Sequence, residues 1–311
     1  MKIGVILHGQ LRTGLSCAKY IKKLFDNYDT DFFIHHWEVS NPKMLDTEKY
    51  SNPKYNDKFI PNEQLKAMEG VYYHTEDEFN KIKEIYKPKY FSTSKLNDDY
   101  ELARENLTKE GETGVMGYYS AIKALFGLSM YQNKTKSKYD LVIRMRPDVI
   151  VPKSQIKGFH QALYEMIQNP KRLYSQYHIE SLDKFPIIDY YQIASYSNMV
   201  ELHKWVYERE FGIDTDLQKV IFQLIDKEKL IITDFRFKTL IIRNIMDDDR
   251  LIKILYEKWD DVLNGEDIYN HMMSYMHPVY SFKETEYYEE HVYEPITKEK
   301  IIENVIKLYS K

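Results

Sequence analysis

The sequence predicts an α/β protein with a mostly parallel sheet flanked by helices and a helical C-terminal part, and three observations predict it. The chain opens on an apolar, β-rich run from Lys2 to His8, of the length expected for a buried strand. A glycine-containing break, Gly9 to Gly14, leads into Ser16 to Asn27, where Ala18, Ile21, Leu24 and Phe25 recur at helical spacing before a second strand-like run, Asp31 to Trp37. Strand, helix and strand so close together form one βαβ unit, which implies parallel strands with a right-handed crossover. The third observation is that the sequence after about residue 246 reads mostly as helices.

The remaining elements follow in order. From Ser40 to Asn62 the chain is polar, with Pro42, Pro53 and Pro61, and reads as a long surface excursion. Gly70 to His74 and Lys89 to Ser92 are short strands flanking a helix at Glu76 to Tyr86. The clearest helix runs from Val115 to Gln132; Val115, Tyr119, Ile122, Phe126 and Met130 recur at three and four, predicting that this face is buried. Lys138 to Asp148 is a strand that ends in charge, and further strands are expected at Arg172–Gln176, Tyr190–Ser195 and Leu230–Asp234. Helices are predicted at Leu251–Trp259, Gly265–Met276 and Thr297–Tyr309. The division expected is a ligand-binding domain over residues 1–245 and a helical extension over 246–311 packed on it.

Composition excludes several classes of function. The 311 residues carry 44 Lys and Arg against 48 Asp and Glu, a net charge of −4, which argues against a protein whose task is to coat nucleic acid. One cysteine, Cys17, removes a disulfide framework or a cysteine-based zinc site and fits a reducing compartment. No apolar run approaches the ~20 residues of a spanning helix. The N-terminus, interrupted by His8, Gln10 and Arg12, does not read as a signal peptide, so a cytoplasmic location is expected. The 10 histidines show no metal-ligand spacing, and Ser120 and Ser195 lack a nucleophile-elbow context. Tyrosine is abundant, at 28 residues, while arginine is scarce: only nine of the 44 basic residues. That scarcity is informative, because two of the nine arginines fall at Arg144 and Arg146.

Arg144, Arg146 and Asp148 stand at alternate positions, so on a continuing strand they share one face. Arginine offers a planar fork that suits phosphate or carboxylate. Pro147 ends the strand, which puts Asp148 at the carboxyl edge, where open parallel sheets bind ligands. A carboxylate there either holds a hard divalent cation or braces the sheet in an Arg–Asp ion pair. At the end of the first strand, His8, Gly9, Gln10 and Arg12 reach the same edge: glycine permits close backbone approach and Arg12 supplies positive charge. The loop is neither a dinucleotide fingerprint nor a Walker loop.

Taken together, the Gly9-Gln10-x-Arg12 start, the strand Asp31 to Trp37, the helix bearing Gly117-Tyr118-Tyr119-Ser120, the Arg144-x-Arg146-Pro147-Asp148 strand and Asp189 to Ala194 resemble a family of GT-A-type glycosyltransferases of bacterial and large-virus polysaccharide pathways. The resemblance spans roughly residues 1 to 275, with Gly265-Glu266 as a weaker landmark. It implies a Rossmann-like GT-A fold, a nucleotide-sugar donor, a glycan or other hydroxyl acceptor, and usually Mg²⁺ or Mn²⁺. It also puts nucleotide contacts at His35 and His36, and Asp148 where the last carboxylate of the Asp-x-Asp metal motif stands. This chain departs from that motif, since Arg146 replaces the first aspartate. One carboxylate beside a cation makes a poorer metal site, which leaves two alternatives open: Mg²⁺ or Mn²⁺ at Asp148, or weak or absent metal dependence with Arg144 or Arg146 partly replacing the metal in stabilising the departing diphosphate.

Inverting transfer needs a carboxylate to take the acceptor's proton. Asp189 is the leading candidate and Glu266 the alternative, whereas Asp247-Asp248-Asp249 reads as a solvated helix cap. Trp37 stacks on a base or fills the core, and Tyr118, Tyr119, Tyr190 and Tyr191 lie near the expected site. Three readings remain open: a glycosyltransferase, a non-catalytic nucleotide- or glycan-binding module, and a nucleotidyltransferase, which would need more carboxylates for its metals than this strand offers.

Overall fold

The N-terminal run forms β1 (Lys2–Gln10), buried continuously from Ile3 to Gly9. Burial on both faces is why the sequence reads as unbroken apolar residues rather than as an alternation. Ile3, Val5 and Leu7 enter one core layer, while Ile6 enters the opposite one. The computed structural model describes residues 1–40, 72–95, 113–177, 187–208, 231–233, 237, 239–242, 247–263, 302–303 and 306. Residues 41–62 of the polar excursion, the predicted helix Gly265–Met276 with Glu266, and most of the predicted terminal helix lie outside them.

The chain leaves β1 into α1 (Gly14–Leu24) and returns as β2 (Asp29–Trp37), parallel to β1 from Lys2 opposite Asp29 to Gln10 opposite Trp37. Two short strands, β3 (Val39–Ser40) and β4 (Tyr72–Tyr73), pair antiparallel outside the main sheet. Helix α2 (Glu76–Tyr86) follows, started by a capping box in which Thr75 and Glu78 satisfy each other's backbone N–H groups. Strand β5 (Tyr90–Ser94) then pairs with β2, and α3 (Thr113–Thr135) crosses back to β6 (Leu141–Met145), which lies parallel to β1 on its other side. After β7 (Val149–Ile150) come α4 (Ile156–Gln168), β8 (Arg172–Tyr177), β9 (Ile187–Ala194), α5 (Tyr196–Glu208), β10 (Ile231–Thr233), β11 (Leu240–Ile241) and α6 (Asp249–Leu263).

The main sheet has seven strands in the order β10-β8-β9-β6-β1-β2-β5. All run parallel except β9, which is antiparallel to both β6 and β8. On one face pack α1, α2, α4 and α6, through residues such as Ala18, Ile82, Leu163 and Leu255; on the other pack α3 and α5, through Leu128 and Leu202. Leu251, Ile252 and Leu255 of α6 share the core of the first face, and Ile302 joins it.

Two expectations are corrected. Tyr119 of the predicted face is buried, together with Ser120, Ala121, Ala124, Leu125, Gly127 and Leu128, whereas Phe126 is 59% and Met130 52% exposed. The helix lies so close to the sheet that small residues must face it: a Cβ on Gly127 would stand 2.2 Å from the Tyr90 ring. The second correction concerns β6, which ends at Met145. Arg146 and Asp148 therefore sit in a turn, closed by the Val149 N–H donating to the Arg146 carbonyl at 3.3 Å. Strand alternation does not align them with Arg144.

Candidate functional site

From β1 the chain moves to β2 on one side, while β6 flanks β1 on the other. The strand order reverses there, and at such a point the crossover connections diverge and leave a crevice at the carboxyl ends. The ends of β1 and β6 bring Gly9, Gln10, Arg12, Arg146 and Asp148 to this crevice.

Gly9 has φ of +99°, a conformation that L side chains rarely adopt, and no atom lies within 4 Å of where its Cβ would be. Both of its backbone groups are held. Its N–H donates to Ser120 Oγ at 2.6 Å, and its carbonyl lies 3.2 Å from His36 Nδ1. A carbonyl only accepts, so the His36 proton resides on Nδ1. Ser120 Oγ also donates to the His35 carbonyl at 2.9 Å and lies 2.8 Å from His35 Nδ1. The other ring nitrogen of His35 is 2.9 Å from Ser94 Oγ. A buried Ser94–His35–Ser120 relay thus fixes the end of β1.

Arg12 also has a positive φ, +45°, a strain of roughly 1–2 kcal/mol for a residue with a Cβ. Its N–H donates to Ser40 Oγ at 3.1 Å, Nε to Gln10 Oε1 at 3.1 Å and Nη1 to Asp148 Oδ2 at 3.3 Å. From the other side Arg146 donates Nε to Asp148 Oδ1 at 2.9 Å and Nη2 to Oδ2 at 2.5 Å. Asp148 is itself placed by tertiary contacts, since its carbonyl accepts from the Ile242 N–H at 2.8 Å. The preceding Pro147 packs so closely on the start of α1 that a Cβ at Gly14 would meet it at 2.7 Å. Thr13 Oγ1 donates to the Ile242 carbonyl at 2.6 Å and ties the same corner together. The carboxylate of Asp148 has no solvent exposure, whereas the side chains of Arg12 and Arg146 are 17% and 20% exposed. The anion is behind and the cations are in front.

Arg144 belongs to a deeper layer. Fully buried, it donates Nε to His8 Nε2 at 3.1 Å and Nη1 to Gln192 Oε1 at 3.0 Å. To accept, His8 must be neutral, and burial together with the Arg144 charge holds its pKa well below the ordinary value. Burial pushes His36 down to about 3, and burial with Arg144 does the same to His203, whose Nδ1 donates to the Met199 carbonyl at 2.7 Å. Of the residues the sequence nominated for the donor, His8, His36 and Arg144 thus lie beneath the edge, and Gly9, Gln10, Arg12 and Arg146 lie on it. Trp37 is fully buried, its ring centroid 5.6 Å from that of Tyr119, and so fills the core rather than a base-stacking position.

Asp189 lies within β9, not ahead of a strand. Two residues later Tyr191 pairs with Met145, the last residue of β6, which carries the backbone of Asp189 past that strand's carboxyl end, on the side of β6 away from β1. The Asp247–Asp249 run divides among three tasks: Asp247 accepts from Ser16, Asp248 caps α6 by accepting from the Leu251 N–H at 3.2 Å, and Asp249 pairs with Lys19. Sequence reasoning passed over Ser40, Ser120, Gln192 and His203 as parts of the site. Ser120 and Gln192 fall within the landmarks quoted above, but their partners, like that of Ser40, are distant in the chain, while His203 bonds Met199 within its own helix.

The donor set at Asp148 does not fit a divalent cation. Both carboxylate oxygens accept guanidinium N–H bonds. Among the described residues, no group of three His, Cys, Asp or Glu side chains is placed to hold a metal ion. A dication set on this carboxylate would meet two guanidiniums already there.

No family model and no curated protein sequence matches the chain. Among solved structures it is similar to a putative nucleotide-diphospho-sugar transferase from Desulfovibrio desulfuricans, at 8% identity over 99% of this chain and 97% of that one, with a TM-score of 0.41. A glycosyltransferase involved in glycosylation of the major capsid of PBCV-1 is similar at 8% identity, over 75% of this chain and 83% of that one, TM-score 0.38. The inositol-1-phosphate CTP transferase from T. maritima is similar at 9% identity, over 81% and 95%, TM-score 0.35.

Proposed function

We propose that the chain is a glycosyltransferase that moves a sugar from a nucleotide-sugar donor to a glycan or other hydroxyl acceptor. The observation that carries this reading is the cationic pair Arg12 and Arg146 at the crevice between β1 and β6, beside Gly9, where a Cβ would meet no atom within 4 Å. In the transfer, the acceptor oxygen bonds to the anomeric carbon, the bond from that carbon to the diphosphate breaks, and negative charge grows on the departing phosphate. Preorganised guanidiniums near that oxygen stabilise the growing charge. Gly9 permits the diphosphate to approach the backbone, and Asp189 takes the acceptor's proton if the transfer inverts configuration. Mg²⁺ or Mn²⁺, where bound, would supply the same charge neutralisation; it enters no step here, because the described residues do not form its site.

The test is a thermal-shift and calorimetric screen of the intact chain against nucleotide sugars, followed by assay of nucleotide release. One class of nucleotide sugar is expected to bind and to release its nucleoside diphosphate slowly in water and faster with a hydroxyl acceptor. Asp189→Asn should lower that release by about 10²-fold or more while donor affinity stays within a few-fold. Absence of binding by every nucleotide sugar sinks the reading. Binding without release would favour a second one, a non-catalytic nucleotide-binding module, which the engagement of Asp148 by two arginines also supports.

A further inference from the structure

The turn that follows β6 carries an aspartate where a metal-binding carboxylate was expected, and its surroundings point to another role. We propose that Asp148 organises Arg12 and Arg146 into a paired guanidinium clamp that binds the diphosphate of the ligand without a divalent cation. This rests on the donor-binding reading above and deepens it.

Three independent features support the clamp. The first is charge: Arg12 and Arg146 set two guanidiniums against the one carboxylate of Asp148, and a diphosphate brings at least two negative charges. The second is layering, with the carboxylate wholly buried and both guanidiniums partly in water, so an incoming anion meets cations first. The third is preorganisation. Arg12 is held at a positive φ by Ser40, Gln10 and Asp148, and Arg146 is aligned by a two-point bond to the same carboxylate. Backbone strain survives only where surrounding contacts over-determine it, and it collects at ligand clamps. Planar guanidinium forks match phosphate oxygens at two points, which ammonium groups do not. In a chain that otherwise prefers lysine, arginine stands at both positions. Asp148 is here a positioning residue, acting on the ligand through the two arginines.

The clamp and a metal site make opposite demands on one titration. The probes are inorganic pyrophosphate and a set of nucleoside diphosphates, titrated calorimetrically into the intact protein with excess EDTA and again with Mn²⁺. The clamp predicts the same affinity within a few-fold in both buffers, and a fall in affinity with added salt as ion pairs are screened. Arg146→Gln should weaken pyrophosphate binding about tenfold or more, the size of a lost hydrogen bond to a charged group, with Arg146→Lys between it and wild type. Far-ultraviolet circular dichroism and melting curves establish that each variant is folded, and Arg12→Gln provides a second site of attack. Binding of nucleoside diphosphate that vanishes in EDTA and returns with Mn²⁺ overturns the clamp and leaves the donor reading standing. Binding in EDTA that both Arg146→Gln and Arg12→Gln leave unchanged overturns the clamp in the same way. Absence of binding by any probe in either buffer overturns both.

Discussion

Asp148 is a carboxylate without solvent exposure, held between two guanidiniums, and its physics is that of a buried ion pair. Breaking such a pair by removing one partner costs about 3–5 kcal/mol, because the remaining charge loses its compensation. At Asp148 the lower end applies, since Arg12 and Arg146 keep some contact with water. Asp148→Ala is therefore expected to lower the melting temperature by several degrees as well as to weaken diphosphate binding. A catalytic aspartate facing open solvent would give lost turnover with an unchanged melt, and differential scanning calorimetry separates the two. Much of this cluster was legible in the sequence: arginine is scarce, and Arg12, Arg146 and Asp148 each follow a strand-like run. Its partners were not legible, because Ser120 meets Gly9 and Arg12 meets Asp148 across more than 100 intervening residues.

At the scale of elements, α3 shows how periodicity gives a helix its existence but not its orientation. Val115, Tyr119, Ile122, Phe126 and Met130 form one apolar stripe, and Ala121, Ala124, Leu125 and Leu128 form a second. The sheet selects the second, with Tyr119 of the first also buried beside Trp37, because it approaches closely beside Gly127 and against Gly4, where a Cβ would meet Leu128 at 2.7 Å. Larger side chains on that stripe would hold the helix off the strands and leave voids. Gly127→Ala is expected to destabilise by about 1–3 kcal/mol despite alanine's better helix propensity, as overpacking outweighs the propensity gain. A double-mutant cycle with Tyr90→Ala, followed by chemical denaturation, should show favourable coupling between the two changes. Additive behaviour would mean that Tyr90 does not set the limit.

For the whole molecule, three fully buried histidines, His8, His36 and His203, lie below their ordinary pKa, and burial is the largest cause for each. In the unfolded chain each takes a proton near pH 6.5, while in the folded chain it stays neutral down to far lower pH, about 3 for His36 and His203. Between those limits the unfolded state binds more protons, so stability falls as pH falls. The slope reaches about 1.4 kcal/mol per pH unit for each such histidine. Urea unfolding between pH 7 and pH 5 should show this loss, and His203→Asn should flatten it while lowering stability at pH 7. Equal slopes in both proteins would place the acid sensitivity elsewhere.

The amino-acid sequence alone determined the opening βαβ unit, the order of most described strands and helices, and the residue types that reach the carboxyl edge of the sheet. Those features follow from local spacing: runs of apolar residues, the breaks between them, and charge placed just after a strand. The tertiary structure decided that β9 runs antiparallel, that α3 turns its small residues inward, and that β6 stops before Arg146. It also decided that Asp148 faces two arginines, Arg12 from the turn after β1 and Arg146 from its own turn. Such outcomes depend on register and on the distance between packed layers. Both arise from contacts between residues far apart in the chain, and no window of neighbouring residues encodes them.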